Sequence, residues 1–193
     1  MIGNDLVDLK LAAKQSNWQR KGFLDKLFTP IEQGYILNSY NPFETVWLLW
    51  SMKESAYKVY LQMHNDRFFA PKKLACHLIS KNKGTVLLNN ALFYTESEMG
   101  EAFIYTVAFS EKYNNKFLTD CFRFEHSDFE IQHSQTYQKV LAAFSNKLKL
   151  PVAQLKIKKN GQDVPQLFQG EMLLDYSFSL THHGIFGAFC IGA

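Results

Sequence analysis

Little in this sequence supports a disulfide-stapled or thiolate-metal fold. Its three cysteines, Cys76, Cys121 and Cys190, are far apart and form no C-x-x-C pair. They read as small core residues in a reducing compartment. No stretch reaches the ~18–20 uninterrupted apolar residues of a membrane span. The N-terminal MIGNDLVDLK carries charges where a signal peptide needs an apolar run. A soluble cytoplasmic protein with no membrane partner is the expectation. Charge of one sign is also scarce: 21 Lys+Arg against 18 Asp+Glu give a net charge of +3. That is too mild for a nucleic-acid binder, which carries a concentrated basic face. It suits an anionic small molecule or an acidic protein partner equally well. There is no G-x-x-x-x-G-K-[ST] loop and no G-x-S-x-G elbow. His64, His77, His126 and His133 have no metal-ligand spacing to one another.

What is present is apolar and aromatic. The 193 residues suffice for one domain or two small packed halves. Hydrophobic residues make up 47% and aromatics 15%, with 17 Phe, so much of the core should be aromatic. Residues 2–9 alternate in part and predict a strand. Residues 15–22 read as a loop or ragged helix. Thr29, Pro30 and Glu32 mark a helix start with a reciprocal cap. The clearest helix is 44–63, free of Gly and Pro and preceded by Asn41-Pro42. Strands are expected at 73–80, 84–95 and 101–110, with turns at 81–84 and 97–100. A polar break at 111–116 precedes a strand at 118–125. A helix at 134–149 follows, capped by Ser134, and then strands at 153–159, 176–181 and 185–191. Each half thus runs strand, long helix, several strands. The segments 102–109 and 184–191 are alike in character, which hints at an internal duplication.

Charge on the 44–63 helix is the first chemical signal. At about 100° per residue, Trp47, Trp50, Tyr57 and Leu61 lie near Glu54, and apolar residues cover most other sides. A helix apolar nearly all round is a buried helix, yet this one carries Lys53, Glu54 and Lys58. Glu54 and Lys58 are four apart. One reading is an intrahelical ion pair; the other is a metal ligand and a phosphate-neutralising lysine. On the first strand, Asp5 and Asp8 point to opposite faces if the strand is regular, and Gly3 permits close backbone approach. Asp5 reads either as a turn or cap residue or, with Glu54, as one of two hard oxygen ligands of the kind Mg²⁺ takes beside substrate phosphates. In Ser177-Phe178-Ser179-Leu180-Thr181-His182-His183-Gly184, hydroxyls alternate with apolar residues and end in two histidines. That is either a half-exposed edge strand or a polar rim for a phosphate, with His182 as a donor. Lys156, Lys158 and Lys159 flank a turn, as a solvated strand end or a clamp for a nucleotide 3′-phosphate.

These constellations together resemble the 4′-phosphopantetheinyl transferase superfamily. Ile2-Gly3-Asn4-Asp5-Leu6-Val7 looks like its G-x-D metal strand. Phe28-Thr29-Pro30-Ile31-Glu32 is similar to the T-x-x-E segment of holo-acyl-carrier-protein synthases. Trp50 to Lys58 resembles the W-x-x-K-E-[SA]-x-x-K signature closely, and Ser179-Leu180-Thr181-His182 resembles the S-x-S-H strand that contacts coenzyme A. The resemblance implies an α+β fold of two pseudo-duplicated halves, each a long helix on a small, mainly antiparallel sheet. It implies Mg²⁺-dependent transfer of phosphopantetheine from coenzyme A to a serine of an acyl or peptidyl carrier protein, releasing adenosine 3′,5′-bisphosphate. Asp5 and Glu54 would hold Mg²⁺, and Glu54 would help deprotonate the serine, directly or through a metal-bound water. Lys58 would offset pyrophosphate charge. Ser179, Thr181 and His182 would bind the coenzyme.

Two departures matter. A second acid, found in many surfactin-type members two residues after the metal Asp, is here Val7. The G-K-P segment lacks its lysine; the nearest match is Gly161-Gln162-Asp163-Val164-Pro165, so Lys158 or Lys159 would have to replace it. The order of parts predicts a monomeric pseudo-dimer with one active site between residues 1–112 and 113–193. The competing reading is a non-catalytic coenzyme A- or carrier-binding relative.

Overall fold

In the computed structural model, residues 1–64, 66–110, 117–125 and 128–192 are described. A long helix, α4 (Pro42–Met63), organises the first half. Asn41 caps it by accepting from the Glu44 N–H, Pro42 opens it, and Glu44 complements its dipole. Before it come α1 (Leu9–Gln15), α2 (Phe23–Leu27) and α3 (Pro30–Leu37). The expected box at Thr29 is there: Thr29 Oγ1 accepts from Glu32 N–H, and Glu32 Oε2 accepts from Thr29 N–H at 2.7 Å.

Helix α4 lies on an antiparallel sheet in the order β1-β5-β4-β3-β2. Its strands are β1 (Ile2–Asp8), β2 (Ala75–Leu78), β3 (Lys83–Leu88), β4 (Ala91–Met99) and β5 (Phe103–Ser110). Leu49, Met52 and Val59 of the helix join Val86, Phe93 and Ile104 of the sheet in one core. Strand β1 rides directly on the helix. A Cβ on Gly3 would overlap the Ser55 carbonyl oxygen and crowd the Val59 nitrogen, so only glycine fits there.

The second half contains β6 (Phe117–Arg123), β10 (Phe178–His183) and β11 (Phe186–Gly192), in the order β10-β11-β6. Helix α5 (Phe129–Leu148) packs on this sheet through Val140 and Phe144. A meander of β7 (Leu155–Lys159), β8 (Pro165–Gln169) and β9 (Met172–Leu174) adds Leu155 and Leu167 to the same core. A third cluster joins the halves, with Ile2, Leu6, Tyr105 and Val107 against Ala188 and Cys190.

The fold is therefore α+β with antiparallel sheets and one long helix in each half. The likeness of the halves goes no further: five strands and four helices face one helix and two three-stranded sheets, and a duplication is not clearly shown. The expected break at 111–116, the boundary at 112/113 and His126 lie outside the described residues.

Several expected bounds are corrected. The strand at 84–95 is two strands, because Asn89 turns with φ 53° in a two-residue hairpin that pairs Leu88 with Ala91. The turn expected at 97–100 falls later, since β4 runs to Met99. Helix α5 starts at Phe129, not at Ser134, because Asp128 takes the cap by accepting from Ile131 N–H at 3.0 Å. Strands β8 and β9 were not expected.

Candidate active site

Glu54 and its neighbour Lys53 sit in the middle of α4 and face different surroundings. Lys53 is fully buried. Its ammonium donates to both Glu32 oxygens at 2.7 and 2.9 Å and to the Pro71 and Leu74 carbonyls at 3.0 and 2.6 Å. Glu32 Oε1 also accepts from Cys76 N–H at 2.6 Å. Every formal charge there has a counter-charge and hydrogen bonds, which is the condition for burying an ion pair. The motif reading placed Glu32 as a cap and Lys53 on a greasy helix but missed that the two meet. A lysine on a helix apolar nearly all round, 21 residues after the capping acid Glu32, was the available signal.

Glu54 points toward β1 and a cleft between the halves. The Lys58 ammonium is turned away from an intrahelical pair with it. Lys58 Nζ donates to the Asn4 carbonyl at 2.7 Å and lies 3.8 Å from Asp5 Oδ1. No ion pair at contact distance joins Glu54 to Lys58 among the described residues. Burial, and then the Asp5 charge, push the Glu54 carboxyl up to about 7, with Lys58 opposing. Burial also raises Asp5, against the pull of Lys58, the Ser51 hydroxyl and His183. Asp8 has a different task. It caps α1 by accepting from Leu11 N–H and ties in the second half by accepting from Ile185 N–H at 3.2 Å. The neighbouring Gly184, at φ 62°, leaves room for that carboxylate where any Cβ would overlap it.

The alternating hydroxyls of Ser177 and β10 have partners on the free edge of β1. Ser177 Oγ accepts from Ile2 N–H at 2.7 Å, Ser179 Oγ from Asn4 N–H at 3.2 Å, and His183 Nδ1 from Asp8 N–H at 2.9 Å. The constant offset of 175 residues means that β1 and β10 run parallel, joined by side chains where a backbone ladder is missing. Thr181 is buried in the same run. This seam satisfies edge N–H groups that would otherwise be stranded at the interface. It also holds Asp5 and Glu54 against the second half.

A cavity of about 250 Å³ opens beside this seam. Glu54, Lys58 and Tyr57 line one side, and Ser179, Leu180, Tyr137 and the β7–β8 turn the other. Lys159 and Arg67 stand at its margin. Lys158 does not reach it: its ammonium is on Glu171 at 3.0 Å and over the Phe168 ring. His182 lines a second cavity of about 640 Å³ with Lys10, Lys14 and Phe129. Burial, reinforced by the charges of His133, Lys58 and His183, lowers the His182 pKa. The structure therefore brings Asp5, Glu54, Lys58 and Ser179 together and sets Lys158 apart from them, while His182 lines the neighbouring cavity within electrostatic reach of Lys58.

Two carboxylates, one of them unpaired and held near neutrality, are a donor set suited to a hard divalent cation whose remaining positions come from substrate oxygens and water. No cluster of three or more His, Cys, Asp or Glu able to hold a metal occurs among the described residues. Protein oxygens alone would not complete such a site.

An acid pair and a lysine beside a cleft between two α+β halves are groups suited to phosphate-bearing substrates and a hydroxyl proton. The comparison with protein families gives that class a specific identity. A family profile described as the 4′-phosphopantetheinyl transferase superfamily matches residues 1–110, more than half of the chain, and the chain belongs to that superfamily. Membership carries the general chemistry, transfer of a phosphopantetheine group. No curated protein matches the sequence. No helix among the described residues is long and apolar enough to cross a membrane.

Proposed function

We propose that this chain transfers the phosphopantetheine arm of coenzyme A to a serine of an apo acyl or peptidyl carrier protein. The observation that carries this reading is that Glu54 and Lys58 line one interhalf cavity, with Asp5 3.8 Å from the Lys58 ammonium. The serine oxygen attacks the phosphorus that bears the pantetheine arm. The P–O–P bridge breaks, and adenosine 3′,5′-bisphosphate leaves with the bond pair. Glu54 takes the serine proton as general base. Lys58 offsets charge that builds on the departing phosphate. Asp5 and Glu54 would hold a divalent cation, Mg²⁺ or Mn²⁺, which when bound neutralises pyrophosphate oxygens.

Ser179 borders the cavity, so its backbone and hydroxyl lie beside the coenzyme, and Lys159 serves as the basic contact near the altered G-K-P segment. Thr181 supports that strand from within. His182 lines the neighbouring cavity with Lys10 and Lys14. Both halves of the site belong to one chain, which supports a monomer.

Incubating the protein with coenzyme A, Mg²⁺ and a panel of apo carrier proteins, followed by intact-mass analysis, tests this. A gain of one phosphopantetheine arm, lost on chelation and in Asp5→Ala, supports it. No gain on any carrier while coenzyme A still binds points to the non-catalytic relative.

A further inference from the structure

Arg67, which lines the cleft cavity, lies outside every motif of the family signature. Arg67 belongs to the segment that follows α4. That segment is pinned on both sides of it. Tyr60 donates its hydroxyl to Asp66 Oδ1 at 2.8 Å, and Tyr57 Oη accepts from Phe68 N–H at 3.0 Å. Phe68 also packs edge-on against both tyrosine rings. Arg67 is thus presented by a built loop. Opposite stands the β7–β8 turn, folded around Asn160. Asn160 Oδ1 accepts from Gln162 and Val164 N–H groups at 2.9 and 3.0 Å. Asp163, at φ 60°, is held in the left-handed region by this turn. Arg67 Nη1 donates to Asp163 Oδ2 at 2.8 Å across the cavity margin, with both side chains more than half exposed. Lys159 borders the same cavity.

This geometry has two cationic stations in one cavity: Lys58 beside Glu54, and Arg67 with Lys159 farther along. Coenzyme A carries anionic charge at two stations as well, the pyrophosphate and the 3′-phosphate on the ribose. The G-K-P segment lacks its lysine in this chain, which leaves one phosphate contact to another cation. An exposed carboxylate–guanidinium pair contributes about 0–1 kcal/mol, so a doubly charged phosphate can displace the carboxylate. A guanidinium also grips a phosphate with two parallel N–H donors.

We propose that Arg67, assisted by Lys159, binds the 3′-phosphate of the coenzyme, and that Asp163 holds Arg67 in place until that phosphate displaces it. This rests on the coenzyme A reading above and adds the residues that make the site selective for the 3′-phosphorylated form.

The test is calorimetric titration of the full chain with coenzyme A and with 3′-dephospho-coenzyme A, which differ by that one phosphate. The wild type should prefer coenzyme A. Arg67→Ala should weaken coenzyme A by about tenfold or more, the loss of a charge-assisted hydrogen bond, and leave the dephospho form within about twofold. Arg67→Lys should restore part of the preference, and Asp163→Asn should keep or increase it. Lys158→Ala should change neither affinity. Equal weakening of both ligands in Arg67→Ala, or an intact preference, overturns the proposal. A wild type that binds both ligands alike overturns the grip and leaves the proposed function standing. A wild type that binds neither overturns both.

Discussion

Lys53 and Glu54 are neighbours on one helix, and their environments are opposites. Lys53 has no exposed surface, yet four acceptor atoms surround its ammonium within hydrogen-bond distance. Glu54 is only half-buried, and no hydrogen bond or contact ion pair reaches its carboxylate among the described residues. A charge placed for structure is saturated by its own fold. A charge placed for chemistry is left wanting, and the deficit shows as a carboxyl pushed up to about 7. The difference supports Glu54 over Glu32 as the acid of the proposed site.

The largest way to break this comparison is at Lys53. Lys53→Met strands the Glu32 carboxylate in the core and should cost about 3–5 kcal/mol of stability, read from urea unfolding. The paired Glu32→Gln, Lys53→Met variant should recover part of that loss, since it removes both charges together.

A smaller effect comes from Glu54 and pH, with a chelator present. Its folded pKa of about 7 stands above the ordinary 4.5. Its contribution to stability is therefore fully present below about 4.5 and is lost as pH rises through about 7. The wild type should lose about 1–3 kcal/mol across that window relative to Glu54→Gln, whose side chain does not titrate. Parallel stability–pH curves for the two proteins would show that Glu54 is not strained.

The seam between the halves gives the smallest effect. Ser177→Ala removes the acceptor for Ile2 N–H and the donor to Gln62 Oε1. It should cost about 1 kcal/mol, seen as a lowered unfolding midpoint.

Local signals in the sequence proved readable. Thr29 and Glu32 are three residues apart, so their reciprocal cap is written in the chain, as are Asn41-Pro42 ahead of α4 and the signature around Glu54. Contacts made over long separations were not. The second role of Glu32 needs Lys53 and the Pro71 and Leu74 carbonyls, brought together only by packing. The hydroxyls of residues 177–181 fit a phosphate rim as a pattern, but Ser177 and Ser179 serve the edge of β1, a partner 175 residues away. Strands β8 and β9 were missed because Pro165 and Gly170 read as breakers. Here Pro165 opens a strand, and Gly170, at φ 59°, makes the turn between two. Lys158 and Lys159 are adjacent, and only strand alternation in three dimensions shows which one borders the cavity.

The most direct test joins turnover and unfolding on the same preparation of Glu54→Gln. The account predicts that arm transfer to the carrier falls by at least ~10²-fold, while the unfolding free energy at pH 8 is unchanged or raised. A variant that unfolds more easily, and whose remaining activity simply tracks its folded fraction, would contradict it and place Glu54 with Lys53 as a structural charge.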